Sequence, residues 1–199
     1  MFTPPNAEYR TLSQKQLPIL ALALKLQAGM RCGIALGSNI EDRLTNLREG
    51  FARTRSLHEP GPPIRVSSIY DTAPIDCEPG TMPYLNAVMV INFMGPPVAL
   101  LDRLLELEKA MGRPSKRPRN SPRIIDLDIL FAGNLVLNNP EIIIPHPRLR
   151  QRRFVLTPLA EISPELVLPG QMHSVQRLLD ELDDPGQVTR LHAPLIDRE

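Results

Sequence analysis

Apolar residues recur along this chain with two periods, about 2 and about 3.6, and the switches between them mark its elements. Residues 31–36 are a small apolar run that predicts a strand, turned by Gly37-Ser38-Asn39. Ser38 or Asn39 stands where a helix cap is expected. Ile40, Leu44, Leu47 and Phe51 then follow at spacings of four, three and four, which is one helical stripe. That helix should end near Ser56, ahead of the breaker Pro60-Gly61-Pro62-Pro63. Residues 64–70 alternate and are β-branched, a second strand; residues 72–83 are an irregular Pro/Gly loop; residues 84–93 are a third strand. Gly95-Pro96-Pro97 opens a second helix, with Val98, Leu101, Leu105, Glu108 and Met111 toward one side and Gly112 closing it. A basic loop, 113–122, leads into a fourth strand that is apolar except for Asp126 and Asp128.

The order β-α-β-β-α-β predicts an α+β, ferredoxin-like fold, a four-stranded antiparallel sheet with two helices on one face. Beyond it, Gly133-Asn134 predicts a hairpin turn into residues 135–137. Residues 142–144 form a short extended piece, and Pro145-His146-Pro147 a rigid kink. Residues 154–162 read as turn and short helix, and 175–182 as a last amphipathic helix. The chain divides into an N-terminal extension (1–30), one folded domain (31–184) and a loose C-terminal tail (185–199). Residues 17–24 faintly resemble a signal-peptide core, but Lys25 cuts the run short and no small-x-small cleavage site follows. A short amphipathic helix, or an extension without a part in the fold, fits better. Met30, directly ahead of the first strand, is an alternative start of translation.

Composition changes this picture little. The chain has 199 residues, enough for one domain with a core and an appendage. A net charge of +1 gives no general bias toward nucleic acid or membrane, and no apolar stretch approaches the ~18 residues of a membrane span. Cys32 and Cys77 are the two cysteines, too few for a thiolate zinc site; free thiols in a reducing, cytoplasmic compartment are expected, in a monomer. Charge is uneven, however. Arg113, Lys116, Arg117, Arg119 and Arg123 lie within eleven positions without an acid, and Arg148, Arg150, Arg152 and Arg153 form a second cluster. Both flank the aspartate strand in sequence. They are either solvated basic loops or the positive half of a phosphate site.

Asp126 and Asp128 point to the same face of their strand. Adjacent carboxylates repel, and a hydrophobic strand tolerates them when a cation neutralises both. Mg²⁺ suits two carboxylates because it takes oxygen ligands and keeps waters and substrate phosphates in its shell. Two such ions form a phosphoryl-transfer site. The alternative is an exposed edge strand with two solvated acids.

No P-loop or dinucleotide-binding glycine motif is present. The ordered set of Gly37-Ser38-Asn39, Ser67-Ser68-Ile69-Tyr70, Thr72-Ala73-Pro74, Tyr84-Leu85-Asn86-Ala87, Glu108 with Gly112-Arg113, residues 122–128 (PRIIDLD), Pro145-His146-Pro147-Arg148, Arg152 and Phe154 resembles the 6-hydroxymethyl-7,8-dihydropterin pyrophosphokinase family over about residues 31–170. The resemblance implies transfer of the β,γ-pyrophosphoryl group of ATP to the pterin's hydroxymethyl oxygen, releasing AMP, in folate biosynthesis. It implies two Mg²⁺ ions on Asp126 and Asp128, and Arg113, Arg123 and Arg152 facing phosphates. His146 would contact the nucleotide and Glu108 its ribose or adenosine; otherwise Glu108 is an ordinary solvated helix residue. The pterin would stack between Tyr84 and Phe154, with Asn86 and the backbone around Thr72, Pro74 and Ile75 on its polar edge. Without the resemblance, Tyr84 and Phe154 read as core residues.

The chain departs from the family's usual pattern at Asp76, Ser115, Asn120 and Ser121. The basic loop 113–122, stiffened by Pro114, Pro118 and Pro122, is expected to be mobile without nucleotide and to close over ATP. Two other classes compete. Another two-metal enzyme, such as a nucleotidyltransferase, would release pyrophosphate instead of AMP. An RNA-binding sheet would need paired aromatics on its face, and only 4% of residues are aromatic.

Overall fold

The computed structural model describes residues 29–73, 80, 82–113 and 122–195. Its centre is β1 (Met30–Ser38), which pairs antiparallel with β4 (Tyr84–Phe93) along its whole length and with β5 (Asp126–Ala132) on its other side. β3 (Tyr70–Thr72) lies beyond β4, and β8 (Val188–Arg190) beyond β3, giving the order β5-β1-β4-β3-β8. The short β2 (Arg65–Val66) also pairs with β4. Every pairing is antiparallel.

β4 is buried from Leu85 to Phe93, so both of its faces are covered. Leu85, Ala87, Met89 and Ile91 face α1 (Arg43–Arg55) and α2 (Pro97–Ala110), in one core with Leu47, Phe51, Leu100 and Leu104. Val88 and Val90 face the other way, with Leu130, Phe131 and α3 (Arg153–Ile162), which supplies Val155, Leu156 and Leu159. α4 (Val175–Asp180) closes this second core through Val175. The antiparallel α+β sheet is thus as expected, but helices cover both of its faces. Leu47, Leu100, Leu104, Leu156 and Leu159 are each fully buried, about 1.5–3 kcal/mol apiece. That burial holds α2 and α3, whose own first residues supply no side-chain cap.

Several local expectations are corrected. The cap of α1 is Asp42, whose Oδ1 accepts from Thr45 N at 3.1 Å, and neither Ser38 nor Asn39 caps it. The expected strand 64–70 is two strands, because Ser67 bonds to Val88 with both its amide and its hydroxyl and interrupts the ladder. On α2 the buried stripe is Pro97, Leu100, Leu104 and Glu108, while Leu105 is half exposed. Gly112 does close that helix, at φ 95°, a conformation that favours glycine. The hairpin after Gly133-Asn134 does not form with β5: β6 (Leu137–Asn138) pairs with β7 (Ile143–Ile144) in a separate ladder. The last helix ends at Asp180, and where a loose tail was expected the chain returns as β8, with Leu195 buried in the first core. Residues 17–24 and Cys77 lie outside the described residues. Cys32 is buried, and burial pushes its thiol up to about 12. Among the described residues no helix is long and apolar enough to cross a membrane.

Candidate active site

The aspartates sit where the three longest strands end together. Leu127 and Ile129 enter the first core, so alternation turns Asp126 and Asp128 to the face that α3 covers. Asp126 is opposite Gly37 of β1, and Gly37 is opposite Asn86 of β4. The sheet at this row has only a glycine between carboxylate and amide. A Cβ on Gly37 would lie 3.0 Å from Asn86 Oδ1 and 4.0 Å from both Asp126 Cβ and Tyr84 Cδ1.

Two arginines brace Asp126. Arg113, just past the end of α2, reaches its Oδ1 at 3.1 Å and also pairs with Glu108. Arg123, on the approach to β5, pairs with Oδ2 and also interacts with Tyr84. Glu108 is 1% exposed, so it is not a solvated helix residue. Its Oε1 accepts from Leu127 N on the open edge of β5 at 2.7 Å, and its Oε2 is buried without a partner. Burial raises its carboxyl to about 7 against the lowering effect of that hydrogen bond and of Arg113. Asp128 is also raised, first by burial and then by the neighbouring charge of Asp126; Arg152, Arg123 and Arg113 oppose this.

His146 and Arg152 lie beside the same two aspartates. His146 N donates to Leu130 O at 2.9 Å, which fastens the 145–147 kink along β5. Its Nδ1 accepts from Arg148 N at 3.1 Å, leaving the ring proton on Nε2. Burial, with Arg152 and Arg148, pushes this imidazole down to about 4. Arg152 precedes α3 and lies over the Phe154 ring, 5.3 Å from its centroid. The first turn of α3 is fixed from a distance: Arg153 N donates to Asp184 Oδ2 at 2.9 Å. Tyr84 and Phe154 are only half-buried, not core residues. Asn86 Nδ2 donates to Thr72 Oγ1 at 2.6 Å, in a buried pair. Pro74 and Ile75, the departures at 76, 115, 120 and 121, and most of loop 113–122 lie outside the described residues.

The sequence reading missed three supports. Asn39 bonds to both peptide groups of Arg123. Asp184 caps α3. Arg43 donates to Pro83 O at 2.9 Å and pairs with Asp71 at 3.3 Å, tying together the two ends of the 72–83 loop. Each joins residues distant in sequence, so no local pattern signals it.

The sequence model of the 7,8-dihydro-6-hydroxymethylpterin-pyrophosphokinase family matches residues 33–164, which run from within β1 to just past α3 and include Glu108, Arg113, Arg123, Asp126, Asp128, His146 and Arg152. The chain belongs to this family. A 2-amino-4-hydroxy-6-hydroxymethyldihydropteridine pyrophosphokinase of Bacillus subtilis is 41% identical over 129 residues, 65% of this chain and 75% of that one. The enzyme of the same name from Methylorubrum extorquens is 36% identical over 159 residues, 78% of this chain and 96% of its own. The crystal structure of Plasmodium falciparum HPPK-DHPS superposes with a TM-score of 0.60 at 15% identity, over 77% of this chain and 44% of that one, a likeness of fold.

Proposed function

We propose that this site transfers the β,γ-pyrophosphoryl group of ATP to 6-hydroxymethyl-7,8-dihydropterin, releasing AMP, the family's step in folate biosynthesis. The observation that carries the reading is the row across the sheet. Asp126, braced by two arginines, and Asn86, braced by Thr72, flank Gly37, which puts no side chain between them. A phosphate site and a heterocycle site therefore share one floor. The strand order also supports the ferredoxin-like reading of the core, with α3, α4 and β8 added to it.

Asp126 and Asp128 are assigned to two Mg²⁺ ions. The donor set fits: both ligands are carboxylate oxygens, and Asp128 is destabilised as an anion until a cation arrives. Among the described residues no cluster of three or more His, Cys, Asp and Glu completes a protein shell, so phosphate and water complete it, as Mg²⁺ prefers. When bound, Mg²⁺ neutralises the triphosphate and stabilises the in-line displacement. Arg113, Arg123 and Arg152 hold phosphate oxygens; Arg123 Nε, buried without a partner, is a donor an anionic oxygen would satisfy. His146, neutral at physiological pH, donates from Nε2 to the nucleotide. The unpartnered Glu108 Oε2 is the acceptor a ribose hydroxyl would fill. Tyr84 and Phe154 stack on the pterin; Asn86, Thr72, Pro74 and Ile75 orient it.

Incubation with ATP, Mg²⁺ and 6-hydroxymethyl-7,8-dihydropterin tests the reading, with AMP and the pterin diphosphate as expected products. Release of pyrophosphate instead would assign the site to a nucleotidyltransferase.

A further inference from the structure

Asn39 is fully buried, yet it lies between β1 and α1 and belongs to neither. Helix capping is done by Asp42, three residues on. What Asn39 holds instead is Arg123, 84 residues away: Arg123 N donates to Asn39 Oδ1 at 2.7 Å, and Asn39 N donates to Arg123 O at 3.2 Å. The β1–β5 ladder has its last pair at Gly37 and Asp126. Residues 122–125 approach β5 beyond that pair, and no ladder fixes their backbone. The two Asn39 bonds supply the attachment that the ladder lacks.

Both peptide groups of one residue are thus tied, and that residue is Arg123. Its guanidinium pairs with Asp126 and also interacts with Tyr84. A fixed backbone leaves a long side chain fewer positions from which to make those contacts, so less order is lost when it meets its ligand. We infer that Asn39 is a positioning residue of the reaction: it orients Arg123 toward Asp126 and the phosphates, without touching substrate itself. This rests on the pyrophosphokinase reading for what Arg123 does, but not for the clamp.

Pairing Asn39→Ala with Arg123→Ala tests it through AMP formation in single turnover. Asn39→Ala alone is expected to lower the rate about 10- to 100-fold, the effect of a catalytic group displaced by roughly an ångström. With Arg123 already alanine, the same change is expected to cost less than about twofold, since two residues acting through one contact are non-additive. Losses that multiply would overturn the proposal, because they would mean that Asn39 acts through the fold at large. A second measurement needs no variant. In the wild-type protein the Arg123 amide, bonded to a buried oxygen, is expected to exchange with solvent as slowly as the amides of β1. Exchange at the rate of an open loop would mean that the clamp does not exist. Absence of AMP from the wild type would sink the functional reading, while amide exchange would still decide the clamp.

Discussion

Asp126 and Asp128 share a strand face but not an environment. Asp126 has a guanidinium on each oxygen. Asp128 is held above the ordinary carboxylate range by burial and by Asp126. An acid whose folded pKa exceeds its unfolded value destabilises the fold once pH rises past the unfolded value. At neutral pH, Asp128→Asn should therefore stabilise the Mg²⁺-free protein, by on the order of 1 kcal/mol or about 2–4 °C in Tm. Asp126→Ala should lower Tm, because it strips a partner from two partly buried arginines. Both should lose most turnover; near-normal AMP formation by either at ordinary Mg²⁺ would remove that residue from the metal site. His146 has the opposite sign. Its folded value of about 4 lies below the ordinary 6.5, so its contribution to stability is lost as pH falls from about 6.5 to about 4. Replacing His146 by Gln should flatten the fall in Tm over that window, and the imidazole ¹⁵N shifts should show a neutral Nε2–H ring at pH 6. A ring that titrates near 6.5 would contradict both statements.

The site is assembled by register at the level of strands. β1 places Gly37 between Asp126 and Asn86, so one residue without a side chain separates the carboxylate from the amide. In Gly37→Ala the new Cβ meets Asn86 Oδ1 at 3.0 Å, tighter than a relaxed contact, so the Asn86 amide, held at its other end by Thr72, must give by a few tenths of an ångström. Pterin affinity should fall about tenfold or more, the loss of one buried, oriented hydrogen-bonding group. Affinity for a non-hydrolysable ATP analogue should change much less. Equal losses for both would show that the glycine serves β1 and not the pterin. The strands themselves were legible: residues 84–93 and the aspartate strand stand out as runs of strand-favouring apolar residues between turn signals. The cap of α1 was not, because Ser, Asn and Asp are nearly equal as caps. Only the contact with Arg123, folded in from 84 residues away, took Asn39 out of contention.

Across the whole molecule, two cores on opposite faces of one sheet hold the site between them. The second core is made by α3 and α4, and the edge of β3 is closed by β8. Ending the chain after residue 184 would expose that edge and remove Leu195 from the first core. The loss of Leu195 alone is on the order of 2 kcal/mol, about 4–8 °C in Tm; an unchanged melt would make residues 185–195 dispensable. A version beginning at Met30 should fold and form AMP at the full rate, since every site residue follows it; an insoluble product would give residues 17–28 a place in the domain. The individual arginines and Glu108 were singled out only by the family resemblance; hydrophobic period, turn residues and the D-x-D strand by themselves determined the α+β class, the extents of β4 and α2 to within a residue or two, and the placing of Asp126 and Asp128 on one strand face. Those features are local, set by side-chain alternation and backbone sterics over a few residues. Tertiary structure decided which helices lie on which face, that Glu108 is a buried brace, that Tyr84 and Phe154 keep part of their rings outside the core, and that Asn39 holds Arg123. Each depends on free energy gained between segments far apart in the chain, and a window of sequence has no means of registering the partner.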